Sequence, residues 1–264
     1  MRDLSVPYVE VDGRAVDAGP LLSALMGSYG HMTAMQVREG RVRGLDFHLE
    51  RLDAATREMF GEGMDGGGVR DSVRRALGGA GVADADVRVY VHAMGGLDAG
   101  PTTTVVVRPP LAGPGAPQRL RSVPYVRPLA HLKHVGSFGQ VYYLRRVRAE
   151  GFDEALLVGP GGEVTEGAIT NVGFVEGDTV VWPDAPALDG IAMLVLRREL
   201  DRAGVAWRRQ PVRLDEVGRF ERAFVCNSIG VAAVSQIDEV RFPVDGGLVD
   251  EVMRLHAAAG WDAI

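Results

Sequence analysis

This chain of 264 residues contains one lysine and one cysteine. The cysteine, Cys226, cannot form an internal disulfide, and no secretory hydrophobic segment opens the sequence, so a reducing cytoplasm is the expected compartment. No apolar run approaches the roughly 20 residues that a membrane-spanning helix needs. Basic clusters are also missing. With a formal net charge of -6 and no basic run, the chain is a poor ligand for a phosphate backbone, and nucleic acid is not an expected partner. Metal ligation has little to draw on. The histidines at positions 31, 48, 92, 131, 134 and 256 are scattered, and the close pair, His131 and His134, has no cysteine or carboxylate cluster beside it.

The scarcity of lysine is itself informative. Of 29 basic residues, 28 are arginine and the remaining one is Lys133. A guanidinium stays protonated, whereas a desolvated amine can lose its proton and condense with a carbonyl. Lys133 is thus the one side chain capable of amine chemistry. Composition alone leaves two readings open, a nucleophile or a solvated lysine left over in an arginine-rich chain.

The remaining organisation follows in chain order. Residues 30–42 read as a strand, a turn at Glu39-Gly40 and a returning strand. Asp46 stands where a helix N-cap belongs, and Leu49, Leu52, Met59 and Phe60 recur at helical spacing, which puts Arg51 on the helix flank. A glycine-rich loop, Gly61 to Gly68, leads into a helix over 69–78. Val87–His92 and Thr102–Arg108 read as paired strands. The Pro/Gly-rich stretch 109–117 sustains neither helix nor ladder, so the expected domains are 1–118, small and α/β, and 119–264, larger. Beyond it, the pattern predicts a strand over 119–127, a helix over 137–150, and a hairpin through Gly159–Gly162. A second hairpin turns at Glu176-Gly177, and an apolar helix starts at Ile191 after Gly190. The glycine cluster at 159–162 has no helix after it and reads as a hairpin turn rather than a phosphate loop. The helix at Ile191 exposes free N–H groups at its positive end, which suits a phosphate. Strands over 223–227 and 231–237 and a helix over 248–259 complete the pattern.

Five segments in order resemble the class IV aminotransferase family, the fold-type IV pyridoxal-phosphate enzymes: Gly40–Leu52, Leu132-Lys133-His134, Gly151–Asn171, Gly190-Ile191 and Phe224–Ser228. That family includes branched-chain aminotransferases, D-amino acid aminotransferases and aminodeoxychorismate lyases. The resemblance implies a two-domain α/β (α+β) fold of the D-amino acid aminotransferase type, with pyridoxal 5'-phosphate in the interdomain cleft, and a homodimer. It implies that Lys133 forms the internal aldimine and moves the substrate α-proton, and that Glu166 faces the pyridine nitrogen. Arg51 would hold the phosphate with the N–H groups of Ile191 and Ala192 and polar groups at Asn227 and Ser228, while Asn171 and Leu188 line the ring.

The sequence also departs from the family. Ala192 stands where many members carry threonine, and loss of that hydroxyl contact should weaken cofactor binding by about 1 kcal/mol. Met32 replaces an aromatic near the cofactor edge, and Gly136 replaces an asparagine. The loop that in several members supplies an arginine for the substrate carboxylate reads His92-Ala93-Met94-Gly95-Gly96, leaving Arg127 or Arg88 as alternatives. The resulting expectation is a pyridoxal-phosphate-dependent aminotransferase acting on a small amine or amino acid. Its rivals are an aminodeoxychorismate-lyase-like enzyme releasing pyruvate and a non-catalytic scaffold. Retention of Lys133, Glu166 and Arg51 together argues against the scaffold.

Overall fold

A computed structural model of the protein describes residues 8–15, 29–93, 100–113 and 115–264. Met94 to Gly96 of the altered loop and Pro114 of the Pro/Gly stretch lie outside the described residues. The chain divides into two compact units, which it crosses between four times: Met1–Leu111, Leu132–Gly136 and Gly260–Ile264 form unit 1, while Ala112–His131 and Ser137–Ala259 form unit 2.

In unit 1 the strands β1 (Tyr8–Val11), β2 (Arg14–Ala15), β3 (Gly30–Val37), β5 (Ala85–Ala93) and β6 (Pro101–Arg108) form an antiparallel sheet in the order β2-β1-β6-β5-β3. Alternation decides its faces. Val87, Val89, Val91, Val105, Val107, Met35 and Val37 are buried in one core with side chains of the helices α1 (Leu45–Phe60) and α2 (Gly66–Ala80). Glu39 and Gly40 both have positive φ, the geometry of a tight hairpin turn, and Arg41 pairs back on Arg38. The returning strand β4 (Arg41–Val42) takes its main partner from far along the chain, β16 (Asp262–Ala263).

Two helix starts differ from the sequence reading. Asp46 is not the cap of α1; Gly44 occupies that position at φ 65, and the Leu45 N–H donates to Asp262 Oδ2 at 3.0 Å. Helix α2 begins at Gly66, three residues early, because Asp65 accepts from the N–H groups of Gly67 and Gly68 and so offsets the poor helix propensity of glycine.

Unit 2 holds a nine-stranded mixed sheet. Its main path runs β12 (Ala206–Gln210), β11 (Thr179–Pro183), β10 (Asn171–Glu176), β13 (Arg222–Asn227), β14 (Gly230–Ile237), β7 (Gln118–Pro124), β8 (Glu154–Val158) and β9 (Val164–Gly167), with β15 (Val240–Arg241) on β14. The strand predicted over 119–127 stops at Pro124, so Arg127 lies beyond it. The hairpin between β10 and β11 turns at Gly177-Asp178, one residue later than read, since Glu176 pairs with Thr179. The 159–162 segment is a hairpin turn, with Gly159 N–H donating to Glu163 O. Helix α3 (Phe138–Ala149) precedes β8, α4 (Ile191–Ala203) crosses between the parallel strands β11 and β12, and α5 (Gly247–Ala258) packs with α4 around Leu196, Leu200, Val249 and Val252.

The long-range cap gives a direct test. Asp262→Ala should lower the free energy of unfolding by about 1 kcal/mol, as loss of a helix N-terminal acceptor does, and Asp262→Asn by less. Urea unfolding curves of the three proteins provide the comparison, and equal stability would exclude the cap.

Candidate active site

In unit 1 the backbone places Lys133. Met32 N–H donates to Lys133 O at 2.9 Å and Val135 N–H to Gly30 O at 3.0 Å, so residues 133–135 run alongside β3. Lys133 itself is half-buried. Beneath it, α1 carries His48 and Arg51 one helical turn apart. His48 is buried, with Nδ1 2.6 Å from Thr33 Oγ1. Burial, with the positive charges of Arg51 and Lys133 adding to it, pushes the His48 pKa down to about 3. Those charges are therefore close enough to act on one imidazole, and the structure brings Arg51 and Lys133 into the same neighbourhood.

A second buried histidine lies on the same face of β3. His31 Nε2 is 2.9 Å from Thr56 Oγ1, whose own hydrogen goes to Leu52 O at 2.7 Å. The threonine must then accept, which fixes His31 as the Nε2–H tautomer. Burial lowers its pKa to about 4. Both imidazoles are neutral near neutral pH, so the cationic charge here comes from Arg51 and Lys133.

Unit 2 contains a clasp. Glu166, on β9, is 5% exposed, and its Oε1 accepts from Arg127 Nε at 3.1 Å while Oε2 accepts from Leu188 N–H at 3.1 Å. Asn171, the first residue of β10, donates from Nδ2 to Leu188 O and accepts at Oδ1 from Gly190 N–H at 3.1 Å. Leu188 is thus held through both backbone groups, and the chain is aimed into α4. A Cβ at Gly190 would collide with Asn171 Oδ1, so this N-cap must be glycine. Ile191 and Ala192 follow at the first turn, where backbone N–H groups have no acceptor within the helix.

Among the other sequence-derived residues, Asn227 uses its amide within the fold: Oδ1 accepts from Ile229 N–H at 2.9 Å and Nδ2 donates to Ile169 O at 3.3 Å. Ser228 is exposed in the same turn. Arg127 is 4% exposed, is committed to Glu166, and also donates to Ala130 O. Arg88 is half-buried, with Nε 3.4 Å from Asp86 Oδ2. Sequence reasoning missed the roles of His31, His48, Thr33 and Thr56; the one available signal was a histidine in the apolar stripe of α1, three residues before Arg51. No group of metal-ligating residues occurs among the described residues, and no helix there is long and apolar enough to cross a membrane.

The class IV amino-transferase family profile matches residues 30–237, a span that takes in Lys133, Arg51 and the whole clasp. The chain belongs to that family. Solved class IV structures share its fold. A branched-chain aminotransferase from Thermoproteus uzoniensis, crystallised with norvaline, superposes with a TM-score of 0.85 at 18% identity, covering 95% of this chain and 93% of its own. A putative 4-amino-4-deoxychorismate lyase from Legionella pneumophila gives 0.82 at 19%, covering 88% and 92%. A hypothetical aminotransferase from Mycobacterium tuberculosis, in its PLP-bound form, gives 0.81 at 21%, covering 96% and 98%. No curated protein sequence matches. The class IV family consists of pyridoxal-phosphate-dependent aminotransferases and lyases.

The two buried histidines set an acid sensitivity. In the unfolded chain each titrates near its ordinary value of 6.5, whereas the folded protein resists protonation down to about 4 at His31 and about 3 at His48. The unfolded state binds more protons below 6.5, so this contribution to stability is lost as pH falls through that window. His48→Gln escapes its share of the acid penalty. The gap in unfolding temperature between wild type and His48→Gln should therefore shrink between about pH 7 and about pH 5; a constant gap would refute the linkage.

Proposed function

We propose that this chain is a pyridoxal-phosphate-dependent aminotransferase acting on a small amine or amino acid. The observation that carries the reading is the lysine: the single amine side chain of the protein is fixed by its backbone beside β3, with Arg51 and a neutral His48 next to it.

The residues present suit the cofactor. Glu166 is a buried carboxylate held in place by Arg127 and Leu188, the kind of group that partners a pyridine nitrogen. Helix α4 opens on first-turn N–H groups that attract a phosphate. When bound, pyridoxal phosphate supplies an aldehyde that captures amines and a ring that withdraws electrons from the substrate Cα.

The protein residues do the rest. Lys133 Nζ would hold the cofactor through its aldehyde and would move the substrate α-proton. Glu166 would keep the ring nitrogen protonated. Arg51, the N–H groups of Ile191 and Ala192, and the turn at Asn227 and Ser228 are the residues that would hold the phosphate. Asn171 and Leu188 would line the ring through the clasp. Since Ala192 offers no hydroxyl, phosphate binding leans on Arg51 and backbone. With Arg127 committed to Glu166, Arg88 is the remaining arginine proposed for a substrate carboxylate.

Purified protein incubated with pyridoxal phosphate should develop visible absorbance that borohydride abolishes, and Lys133→Ala should lack it. A wild-type protein that takes up no cofactor overturns the reading. Pyruvate release from aminodeoxychorismate, with no amino acceptor required, would replace transamination by the lyase reaction.

We also propose a homodimer formed by a second copy of the chain. Helix α3 supports this, since Phe138 is 83% exposed and Val141 and Tyr142 are exposed on the same helix, an apolar set that a soluble monomer rarely leaves in water. Phe138→Glu combined with Tyr142→Glu should shift the sedimenting species from dimer to monomer, and a monomeric wild type would exclude it.

A further inference from the structure

Glu154 is a buried carboxylate with no part in the reading above. It opens β8 at 2% exposure, and each of its oxygens accepts hydrogen bonds. Oε1 takes Ala155 N–H at 2.8 Å; Oε2 takes Ile169 N–H at 3.3 Å and the Thr170 hydroxyl at 3.1 Å.

The second and third of these bonds reach into the turn that joins β9 to β10. That turn has little freedom. Gly167 N–H donates to Thr170 O at 2.8 Å, and Ala168 N–H donates to Ala155 O at 2.9 Å, on the residue next to Glu154. A Cβ at Gly167 would collide with Thr170 Oγ1 and stand 3.2 Å from Glu154 Cγ. Asn227 Nδ2 holds the same turn from another side, at Ile169 O. The residue before the turn is Glu166 and the residue after it is Asn171, the two side chains that clasp Leu188 and Gly190.

We propose that Glu154 is a positioning residue: by fixing the Gly167–Thr170 turn it sets the spacing and orientation of Glu166 and Asn171, and through them the entry of the chain into α4. A carboxylate suits the task because the atoms it meets are three donors, two N–H groups and a hydroxyl, and an ionised carboxylate only accepts. A glutamine would turn an NH2 group towards one of those N–H donors. Burial raises the Glu154 pKa to about 7, countered in part by its hydrogen bonds and by the charge of Arg148 on α3. In the protonated form the acid can still donate to Thr170 Oγ1 while accepting from Ile169, so the turn keeps its anchor in either state. The consequence for cofactor binding rests on the reading given under Proposed function; the mechanical coupling does not.

Two measurements on the full chain test the two parts separately. In cofactor-free protein, amide hydrogen exchange reports the clasp, because Leu188 and Gly190 N–H groups are the donors to Glu166 and Asn171. Glu154→Ala should speed exchange at those two amides by about tenfold or more while amides of β13 and β14 stay within about twofold of wild type. Should the alanine variant not fold, Glu154→Asp, shorter by one methylene, carries the same comparison. Titration with pyridoxal phosphate should then show affinity weakened by about tenfold in Glu154→Gln, with the absorbance of the bound form shifted in its pH dependence. Unchanged exchange at Leu188 and Gly190, or a uniform rise across the sheet, overturns the proposal. Faster exchange with wild-type cofactor affinity overturns the consequence for cofactor binding and upholds the mechanical coupling. A wild-type protein that takes up no cofactor overturns the functional reading instead, and the exchange experiment still decides whether Glu154 positions the clasp.

Discussion

Two backbone hydrogen bonds, Met32 N–H to Lys133 O and Val135 N–H to Gly30 O, decide where the lysine stands. A long flexible side chain is a poor instrument unless its Cα is fixed, and these bonds fix it as firmly as a residue within a sheet. They impose a condition on β3 in return. A Cβ at Gly30 would lie 2.8 Å from His92 Cβ, so the strand must start with glycine for its neighbours to close up. On the other side of β3, His31 and Thr33 point at α1 and meet Thr56 and His48. Burying four polar side chains costs free energy, offset here by one hydrogen bond for each pair, while His31 Nδ1 has none. The helix that presents Arg51 is thereby keyed to one register against the strand that Lys133 runs beside.

Unit 2 solves its positioning problem by different means. Where unit 1 relies on side chains of definite charge, unit 2 grips a stretch of backbone. Leu188 is bonded through N–H by Glu166 and through C=O by Asn171, and the next N–H but one, that of Gly190, is also taken. The result is a helix start whose direction is set by side chains on two other strands. Arg127 completes the arrangement by pairing with the other oxygen of Glu166, an attraction that burial strengthens while it also costs both groups their hydration. Removing one partner would strand a buried charge.

Local pattern made much of this legible. The β-branched runs of β5 and β6, the glycine before α4 and the hairpin at 159–162 follow from residue type alone. Lys133, Glu166, Arg51 and Asn171 could be picked out singly from motifs. What could not be read were partnerships between distant positions. Asp46 had the right chemistry for a cap, yet Gly44 has the left-handed conformation and Asp262 supplies the acceptor, more than two hundred residues away in sequence. Glycines at 66–68 have the composition of a loop, and Asp65 turns them into a helix start by accepting from the N–H groups of Gly67 and Gly68. His48 resembled one more member of an apolar stripe, because a neutral histidine with a hydrogen bond is buried at the same spacing as leucine. Glu154 sat inside a recognisable segment without any sign of which turn it anchors.

The division of the chain also bears on how the protein is made. Unit 1 takes in residues 132–136 and 260–264, and the latter provide β16, the acceptor for the first N–H of α1, and Ile264, whose carbonyl takes Arg74 Nε at 2.6 Å. During synthesis the lower-numbered residues leave the ribosome first, but the unit they build has to wait for these five. Unit 2 has its whole complement of residues once Ala259 has emerged. Unit 1 is thus completed after unit 2, and the strand edge of β4 stays open until residues 260–264 have emerged, an interval in which an unpaired edge is exposed.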